Sequence, residues 1–157
     1  MQTYEHACPR ILTFRPPRIA MTLLLLATVL QMTLPLHWLQ LRSLPVPGIS
    51  IGSLGFLLMI RAWWLFRVEN TAICPTADTT TLITTDVYKL TRNPMYLGIV
   101  LIILGVALAT GSVLHYAAAS TFFAIIDHSF CPYEEQKLRG EFADDFALYT
   151  ERVRRWL

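Results

Sequence analysis

This chain has few charged residues, few cysteines and no nucleotide-binding glycine motif, and each shortage excludes a class of protein. Charged residues make up 15% of its 157 residues, against roughly a quarter in soluble domains. The three cysteines are far apart in the sequence and pair with no histidine at ligand spacing, so neither a disulfide framework nor a metal site is expected. The net charge is only +2 and no basic, aromatic-interleaved stripe occurs, which argues against nucleic-acid binding.

Apolar residues make up 54% of the chain, and its mean hydropathy is +0.46. They form four runs, the first of which is long enough for a helix that crosses about 30 Å of hydrocarbon. The runs cover residues 19–39, 49–66, 94–110 and 113–126. We expect four transmembrane helices, the last two forming a short hairpin that turns at Gly111-Ser112. A cleaved signal peptide is the alternative for the first run, but no small-residue cleavage pattern follows it.

The connections between these runs differ in character. Two prolines and a glycine predict a turn at residues 44–48, whereas residues 68–91 are polar and threonine-rich and predict an extended loop. A short strand is one interpretation of residues 81–84 within that loop. Arg61 interrupts the second apolar run, either as an arginine that snorkels to the interface or as an interior functional charge.

The end of the chain predicts an amphipathic helix on the membrane surface or against the loop. Its apolar side chains recur at spacings of three and four; they are Phe142, Phe146, Tyr149, Val153 and Trp156. Acidic residues lie at the start of this stripe, and Arg152, Arg154 and Arg155 lie at its end, as the helix dipole favours.

Basic residues predict the orientation in the membrane. They are concentrated before the first run, around the 68–91 loop and in the C-terminal tail, so the positive-inside rule places both termini in the cytoplasm. The expected fold is an all-α integral membrane protein with one domain over residues 1–157. It comprises a cytoplasmic lead at 1–18, two membrane helices within 19–66 and a core at 67–157.

Two polar motifs meet on the predicted cytoplasmic face, and each also fits an ordinary helix start. Asn93 followed by Pro94 is typical of an N-cap and a first helical residue. Pro132 followed by Glu134 and Glu135 has the same character, because carboxylates favour helix N-termini. Taken together, the two motifs indicate a functional site more specifically than either motif does alone.

The stretch from Thr84 to Gly98 resembles the signature of the isoprenylcysteine carboxyl methyltransferase and phospholipid N-methyltransferase superfamily. The ending from Glu134 to Leu157 resembles it too, and the order of the parts is the same, with a membrane hairpin between the motifs. The resemblance extends over residues 71–157.

This resemblance implies a membrane methyltransferase that binds S-adenosyl-L-methionine at the cytoplasmic face. Arg92, Glu134 and Glu135 are then the catalytic candidates, and Asp86 departs from the pattern because a glycine is usual at its position. Aspartate resists backbone dihedrals that glycine admits, so this change bears on the loop conformation. Carried over by position, the cofactor-binding residues are Tyr88, Arg92, Asn93, Pro94, Tyr96, Leu97, Gly98, Glu134 and Glu135.

The residue types suit methyl transfer. Tyr88, Tyr96 or Trp156 offers a ring face to a sulfonium cation, and Arg92 offers a planar fork to a carboxylate. A carboxylate acceptor needs no base, whereas an amine or thiol acceptor must lose a proton, for which Glu134 or its neighbour is available.

The leading hypothesis is a methyltransferase of the bacterial inner membrane, whose site faces the cytoplasm and whose lipophilic acceptor enters from the bilayer. An NADPH-dependent membrane reductase of related fold is one alternative, although no Gly-x-Gly-x-x-Gly motif is present. The other is a non-catalytic membrane module that binds a partner through its C-terminal helix.

Overall fold

The computed structural model describes residues 16–34, 40–69 and 81–157. Within these ranges lie five α-helices: α1 (Pro16–Thr33), α2 (Pro45–Val68), α3 (Pro94–Thr110), α4 (Val113–Ile125) and α5 (Cys131–Arg152). A 3₁₀ turn at Asp86–Lys89 precedes α3, and a π-helical segment at Ile126–Phe130 joins α4 to α5. The described residues contain no β-strand, so the all-α prediction is confirmed and the strand interpretation of residues 81–84 is wrong.

Proline sets where three of these helices begin. A first-turn residue has no helical partner for its N–H, so proline occupies that place without losing a hydrogen bond. The predicted turn at residues 44–48 is therefore wrong, since Pro45 begins α2 and the following residues form its first turn. α3 begins at Pro94 as predicted and ends before Gly111, whose φ of 68° supplies the left-handed cap.

α1 and α2 are each long and apolar enough to cross a membrane, whereas α3 is apolar but shorter. Their outer faces expose large apolar side chains such as Leu25 and Ile49, each 66% exposed, which suits lipid better than water. The four-span topology and the cytoplasmic termini stay predictions. Residues 1–15, with Cys8, residues 35–39, and residues 70–80, with Cys74, lie outside the described ranges.

α2 and α3 lie so close together that only glycine fits where they touch. A Cβ at Gly55 would lie 2.6 Å from the carbonyl oxygen of Gly98, and a Cβ at Gly98 would lie 2.6 Å from that of Gly55. Gly48 and Gly105 have the same reciprocal relation. Small residues let membrane helices approach closely enough for van der Waals packing to hold them together. This seam fixes α2 against α3 along most of their length.

α1 packs on α4 through polar as well as apolar contacts. Thr28 Oγ1 lies 3.2 Å from Nε2 of His115, and Ser112 Oγ donates a hydrogen bond to Gln31 Oε1 at 2.8 Å. α3 also packs on α4. The chain thus forms a bundle in which α3 is the central helix.

α4 continues through the π-helical segment into α5 without a break. Cys131 donates its N–H to the carbonyl of Ile126, five residues back, which is the π-helical pattern. Pro132 follows directly and has no N–H to donate, so the wider turn accommodates it inside the helix. Pro132 and Glu134 lie in the first turn of α5, as predicted. Because α5 follows the π-helical segment directly, this helix start is joined to the preceding helix.

The amphipathic stripe of α5 is confirmed except at its end. Phe146, Tyr149 and Val153 form a buried cluster that packs against Leu82, which lies in the loop before α3. The helix is kinked at Ala143.

α5 ends at Arg152, and Val153 is extended with φ −125° and ψ 128°. The predicted continuation of the helix to Trp156 is therefore wrong. Residues 153–157, which we call the C-terminal strap, turn back toward the start of α3, where their carbonyl groups meet donors of residues 91–93. Because the strap is not helical, its carbonyl groups need other donors, and these contacts provide them.

Candidate functional site

A cavity of about 690 Å³ opens where α2, α3, α5 and the loop before α3 meet. Cavities of roughly 300–1,000 Å³ hold small organic ligands. One part of the wall is polar and contains Arg92, Asn93, Tyr96, Glu134 and Glu135. Another part is apolar and contains Pro16, Met59, Ile60, Trp63 and Ile99. Both predicted motifs therefore border the same cavity.

Hydrogen bonds hold the Arg92-Asn93 motif against the C-terminal strap. Arg92 donates its backbone N–H to the carbonyl oxygen of Arg154 at 3.0 Å. Thr91 Oγ1 and Asn93 Nδ2 both donate to the carbonyl oxygen of Arg155, at 2.8 and 3.1 Å. Asn93 occupies the N-cap position of α3 as predicted, but its side chain makes no capping hydrogen bond there. Its amide binds the strap instead.

Two arginines hold the carboxylate of Glu135. Arg155 donates from Nε and Nη2 to the two oxygens of Glu135, each at 2.9 Å, and Arg92 Nη2 lies 3.2 Å from Oε1. Arg155 also donates from Nη1 to Asp127 Oδ1 at 3.1 Å, and Trp156 Nε1 donates to the same oxygen at 2.9 Å. The Trp156 hydrogen bond and the Arg155 guanidinium lower the pKa of Asp127. The strap, the π-helical segment and α5 are thereby joined by charge-assisted hydrogen bonds.

Glu134 lies in a different environment from its neighbour Glu135. It accepts a hydrogen bond from the Tyr96 hydroxyl, and no arginine of the described ranges forms an ion pair with it. Burial raises the pKa of Glu134 to about 7, although the Tyr96 hydrogen bond and the Lys137 charge act in the opposite direction. A carboxyl group with this pKa exchanges a proton readily near neutral pH.

The 3₁₀ turn before α3 places Tyr88 in the cavity wall. The Tyr88 ring is buried at 6.0 Å from the Phe66 ring in an edge-on arrangement, and its carbonyl accepts a hydrogen bond from the Tyr149 hydroxyl at 2.7 Å. Asp86, at the start of the turn, has φ 57°, which is the left-handed conformation that glycine adopts freely. Asp86 therefore occupies a backbone conformation that a glycine would adopt without strain. Arg61 donates from Nε to Asp86 Oδ2 at 3.0 Å, so Arg61 forms an exposed ion pair.

Three of the predicted cofactor-binding residues do not line the cavity. Gly98 lies in the α2–α3 seam, Pro94 is fully buried at the start of α3, and Leu97 is half-buried one turn later. Trp156, a candidate ring for the sulfonium, instead lies 4.8 Å from the Phe123 ring and is absent from the cavity wall. The other predicted residues meet at the cavity.

Sequence reasoning missed two residues of the ion network. The sequence assigns Asp127 to no motif and Arg155 only to the charge pattern of a helix end, yet their side chains bind each other across 28 positions of sequence. The sequence signal for this network was the group of three arginines near the C-terminus, Arg152, Arg154 and Arg155.

The polar wall fits a ligand that carries both a carboxylate and a cation, as S-adenosylmethionine does. Arg92 Nε is buried and has no hydrogen-bond partner within the described ranges, although an unmade buried hydrogen bond costs about 1–3 kcal/mol. A ligand carboxylate would satisfy it. Tyr88, Tyr96 and Glu134 also line the cavity, and aromatic rings and a carboxylate are groups that attract a cation.

Glu134→Gln is expected to raise the thermal stability of the protein at pH 8 but not at pH 5. The pKa of Glu134 rises from 4.5 to about 7 on folding, so its contribution favours the folded state at low pH and is lost as pH rises through about 7. At pH 8 the ionised carboxylate costs about 3 kcal/mol at roughly 1.4 kcal/mol per pKa unit, and glutamine removes that cost. Melting of the detergent-solubilised protein at the two pH values measures the difference.

Glu135→Gln is the matched control for this measurement. It weakens the hydrogen bonds of two arginines and should melt below the wild type at both pH values. An equal effect of Glu134→Gln at pH 5 and pH 8 would contradict the environment described for Glu134.

Comparison with known proteins gives a match over most of this structure. Residues 45–145, which contain α2 to α4, both motifs and part of α5, match the phospholipid methyltransferase family. Over 63 residues, 40% of the chain, the sequence is 35% identical to an uncharacterized protein of Haemophilus influenzae, whose entire length is covered. No solved structure matches. The chain belongs to the phospholipid methyltransferase family, within the superfamily of small membrane methyltransferases that its two motifs resemble.

Proposed function

We propose that the protein transfers a methyl group from S-adenosyl-L-methionine to a lipophilic acceptor in the cavity between the Arg92-Asn93 and Glu134-Glu135 motifs. One observation supports this proposal above the others. A single cavity joins a charged wall built from both motifs to an apolar wall built from α1, α2 and α3.

The charged wall would hold the cofactor. Arg92 would donate from its unpartnered Nε to the cofactor carboxylate, while its Nη2 stays on Glu135. Glu135 would keep Arg92 in that orientation, because Arg155 fixes Glu135 through both carboxylate oxygens. The Tyr88 and Tyr96 rings would face the sulfonium, at roughly 0.5–2 kcal/mol for a cation over a ring.

The apolar wall would hold the acceptor. Met59, Ile60 and Trp63 of α2 face Pro16 of α1 around the cavity, while α1 packs mainly on α4 and α2 on α3. An acyl or prenyl chain could therefore enter from the bilayer between α1 and α2. Arg67 lies over the Trp63 ring at 4.9 Å, and a tryptophan–arginine pair at a helix end is typical of a membrane interface.

When bound, the cofactor would supply a methyl group on a sulfonium sulfur, and the electrons of the broken carbon–sulfur bond would return to sulfur. The protein's contribution is to align the acceptor atom with that methyl group and to exclude water. An amine or thiol acceptor also releases a proton, which Glu134 would accept because its pKa is near 7. A carboxylate acceptor would leave Glu134 without this role. The site would face the cytoplasm from the bacterial inner membrane, in keeping with the positive-inside rule.

Calorimetry on the detergent-purified protein tests the proposal, with S-adenosylhomocysteine and NADPH as separate titrants. We expect S-adenosylhomocysteine to bind, Arg92→Ala and Glu134→Ala/Glu135→Ala to abolish that binding, and NADPH to give no heat. Binding of NADPH without binding of S-adenosylhomocysteine would contradict the proposal and indicate a reductase. No binding of either titrant to folded protein would favour a non-catalytic module.

A further inference from the structure

Asp86 adopts a backbone conformation that its side chain disfavours. Its φ is 57°, and within the described ranges only Asp86 and Ala143 among non-glycine residues have positive φ. The Cβ of an L-residue crowds the backbone in this region, although aspartate enters it more often than most residues. Some interaction must hold residue 86 in this conformation.

In this conformation the carboxylate of Asp86 binds the side chain of Arg61, in addition to a local contact with the backbone of Val87. Both Nε and Nη2 of Arg61 donate to the same oxygen of Asp86, with Nε at 3.0 Å. The two residues lie on different elements, since Arg61 is in α2 and Asp86 begins the 3₁₀ turn. The pair is accessible, with side-chain exposures of 51% and 32%. It therefore ties the 3₁₀ turn to α2.

The turn determines where Tyr88 lies. The N–H of Tyr88 donates to the carbonyl of Thr85 at 3.1 Å across Asp86, so the backbone at residue 86 sets the direction of the next residues. Tyr88 then packs against Ala62 and Leu65, which follow Arg61 on α2, and its carbonyl accepts from Tyr149. A change of conformation at residue 86 would displace Tyr88 from the cavity wall.

We propose that Arg61 is a positioning residue of the methyl-transfer site: its ion pair holds Asp86 in the left-handed conformation and so keeps Tyr88 in the cavity wall. The pair takes the place of a glycine, which would adopt this conformation unaided. The inference rests on the proposed function where it concerns ligand binding, and on the fold alone where it concerns the turn. Arg61 itself does not line the cavity.

A cycle of variants at residues 61 and 86 tests this inference. Asp86→Ala keeps a Cβ but loses the ion pair, and Arg61→Ala removes the partner. Both should weaken S-adenosylhomocysteine binding by about threefold to tenfold, because the disfavoured left-handed conformation of residue 86 loses the ion pair that supports it. Asp86→Gly should bind as the wild type does. In the Asp86→Gly background, Arg61→Ala should have no further effect.

Hydrogen exchange provides a second readout that does not depend on any ligand. The amides of Tyr88 and Leu90, which donate within the turn, should exchange faster in Arg61→Ala and Asp86→Ala but not in Asp86→Gly. Arg67→Ala is the matched control, because it removes a second arginine of α2 whose guanidinium lies over Trp63. It should leave exchange in the turn unchanged.

Two results would overturn the inference. One is that Asp86→Gly weakens binding and protection as much as Asp86→Ala does. The other is that Arg61→Ala has the same effect with Asp86 as with glycine at that position. If the wild type binds no S-adenosylhomocysteine, the proposed function fails, and the exchange data still decide the role of Arg61.

Discussion

Arg155→Met is expected to weaken S-adenosylhomocysteine binding at least tenfold, although Arg155 does not line the cavity. Methionine preserves much of the apolar stem but removes both hydrogen bonds to Glu135 and the one to Asp127. Hydrogen bonds to charged groups contribute about 1.5–3 kcal/mol, and Glu135 is only 13% exposed, so little solvent replaces them. Glu135 would then compete for Arg92, which the cofactor carboxylate needs. Calorimetry of the folded variant measures the loss.

Two further substitutions make this prediction specific. Arg155→Lys keeps the charge but loses the bidentate geometry, so it should fall between Arg155→Met and the wild type. Arg154→Ala removes the exposed neighbouring arginine and keeps the backbone carbonyl that accepts from Arg92, so its binding should be unchanged. Equal losses in Arg154→Ala and Arg155→Met would assign the effect to the general charge of the tail and not to the Glu135 contact.

Gly98→Ala is expected to destabilise the protein by about 1–3 kcal/mol, the usual cost of overpacking. A Cβ at residue 98 would lie 2.6 Å from the carbonyl oxygen of Gly55 and 2.9 Å from the Cβ of Met59. Backbone atoms cannot rotate away, so α2 must separate from α3. The melting temperature should therefore fall. Because Met59 also lines the cavity, S-adenosylhomocysteine binding should weaken as well. Thermal melting and calorimetry on the same preparation measure both quantities.

Gly140→Ala is the matched control for this substitution. Gly140 lies within α5, and a Cβ there meets no atom within 4 Å. Alanine should stabilise the helix there by up to about 1 kcal/mol. The family resemblance implies instead that Gly98 contacts the cofactor. Weakened binding in Gly98→Ala at an unchanged melting temperature would support that role and contradict the packing role.

The sequence predicted best those elements whose ends are marked by local chemistry. α3 matches its predicted bounds because Asn93-Pro94 starts it and Gly111 ends it. The predicted stripe of α5 is correct as far as Tyr149 because buried apolar residues impose a helical period. The two motifs line one cavity because the α3–α4 hairpin between them returns the chain to the same end of the bundle.

The remaining features depend on contacts that leave no periodic signal. A π-helical segment differs from an α-helix by only one residue in the spacing of its backbone hydrogen bonds, so the hydrophobic pattern before Pro132 did not indicate that Asp127 turns inward. The reversal at Val153 is held by the carbonyl of Arg155, which any residue would supply. The same limit applies to Gly98, because a glycine in a motif is equally typical of a ligand contact and of a close helix approach.

Photo-crosslinking with isotope-labelled S-adenosylmethionine most directly tests the claim that the cofactor lies between the two motifs. Ultraviolet irradiation of the membrane-embedded protein, followed by mass spectrometry of its peptides, identifies the residues in contact with the cofactor. We expect label on the segment that contains Tyr88 and Tyr96 and on the segment that contains Glu134, and we expect excess S-adenosylhomocysteine to remove it. Label confined to other segments, or label that S-adenosylhomocysteine does not displace, would contradict the account.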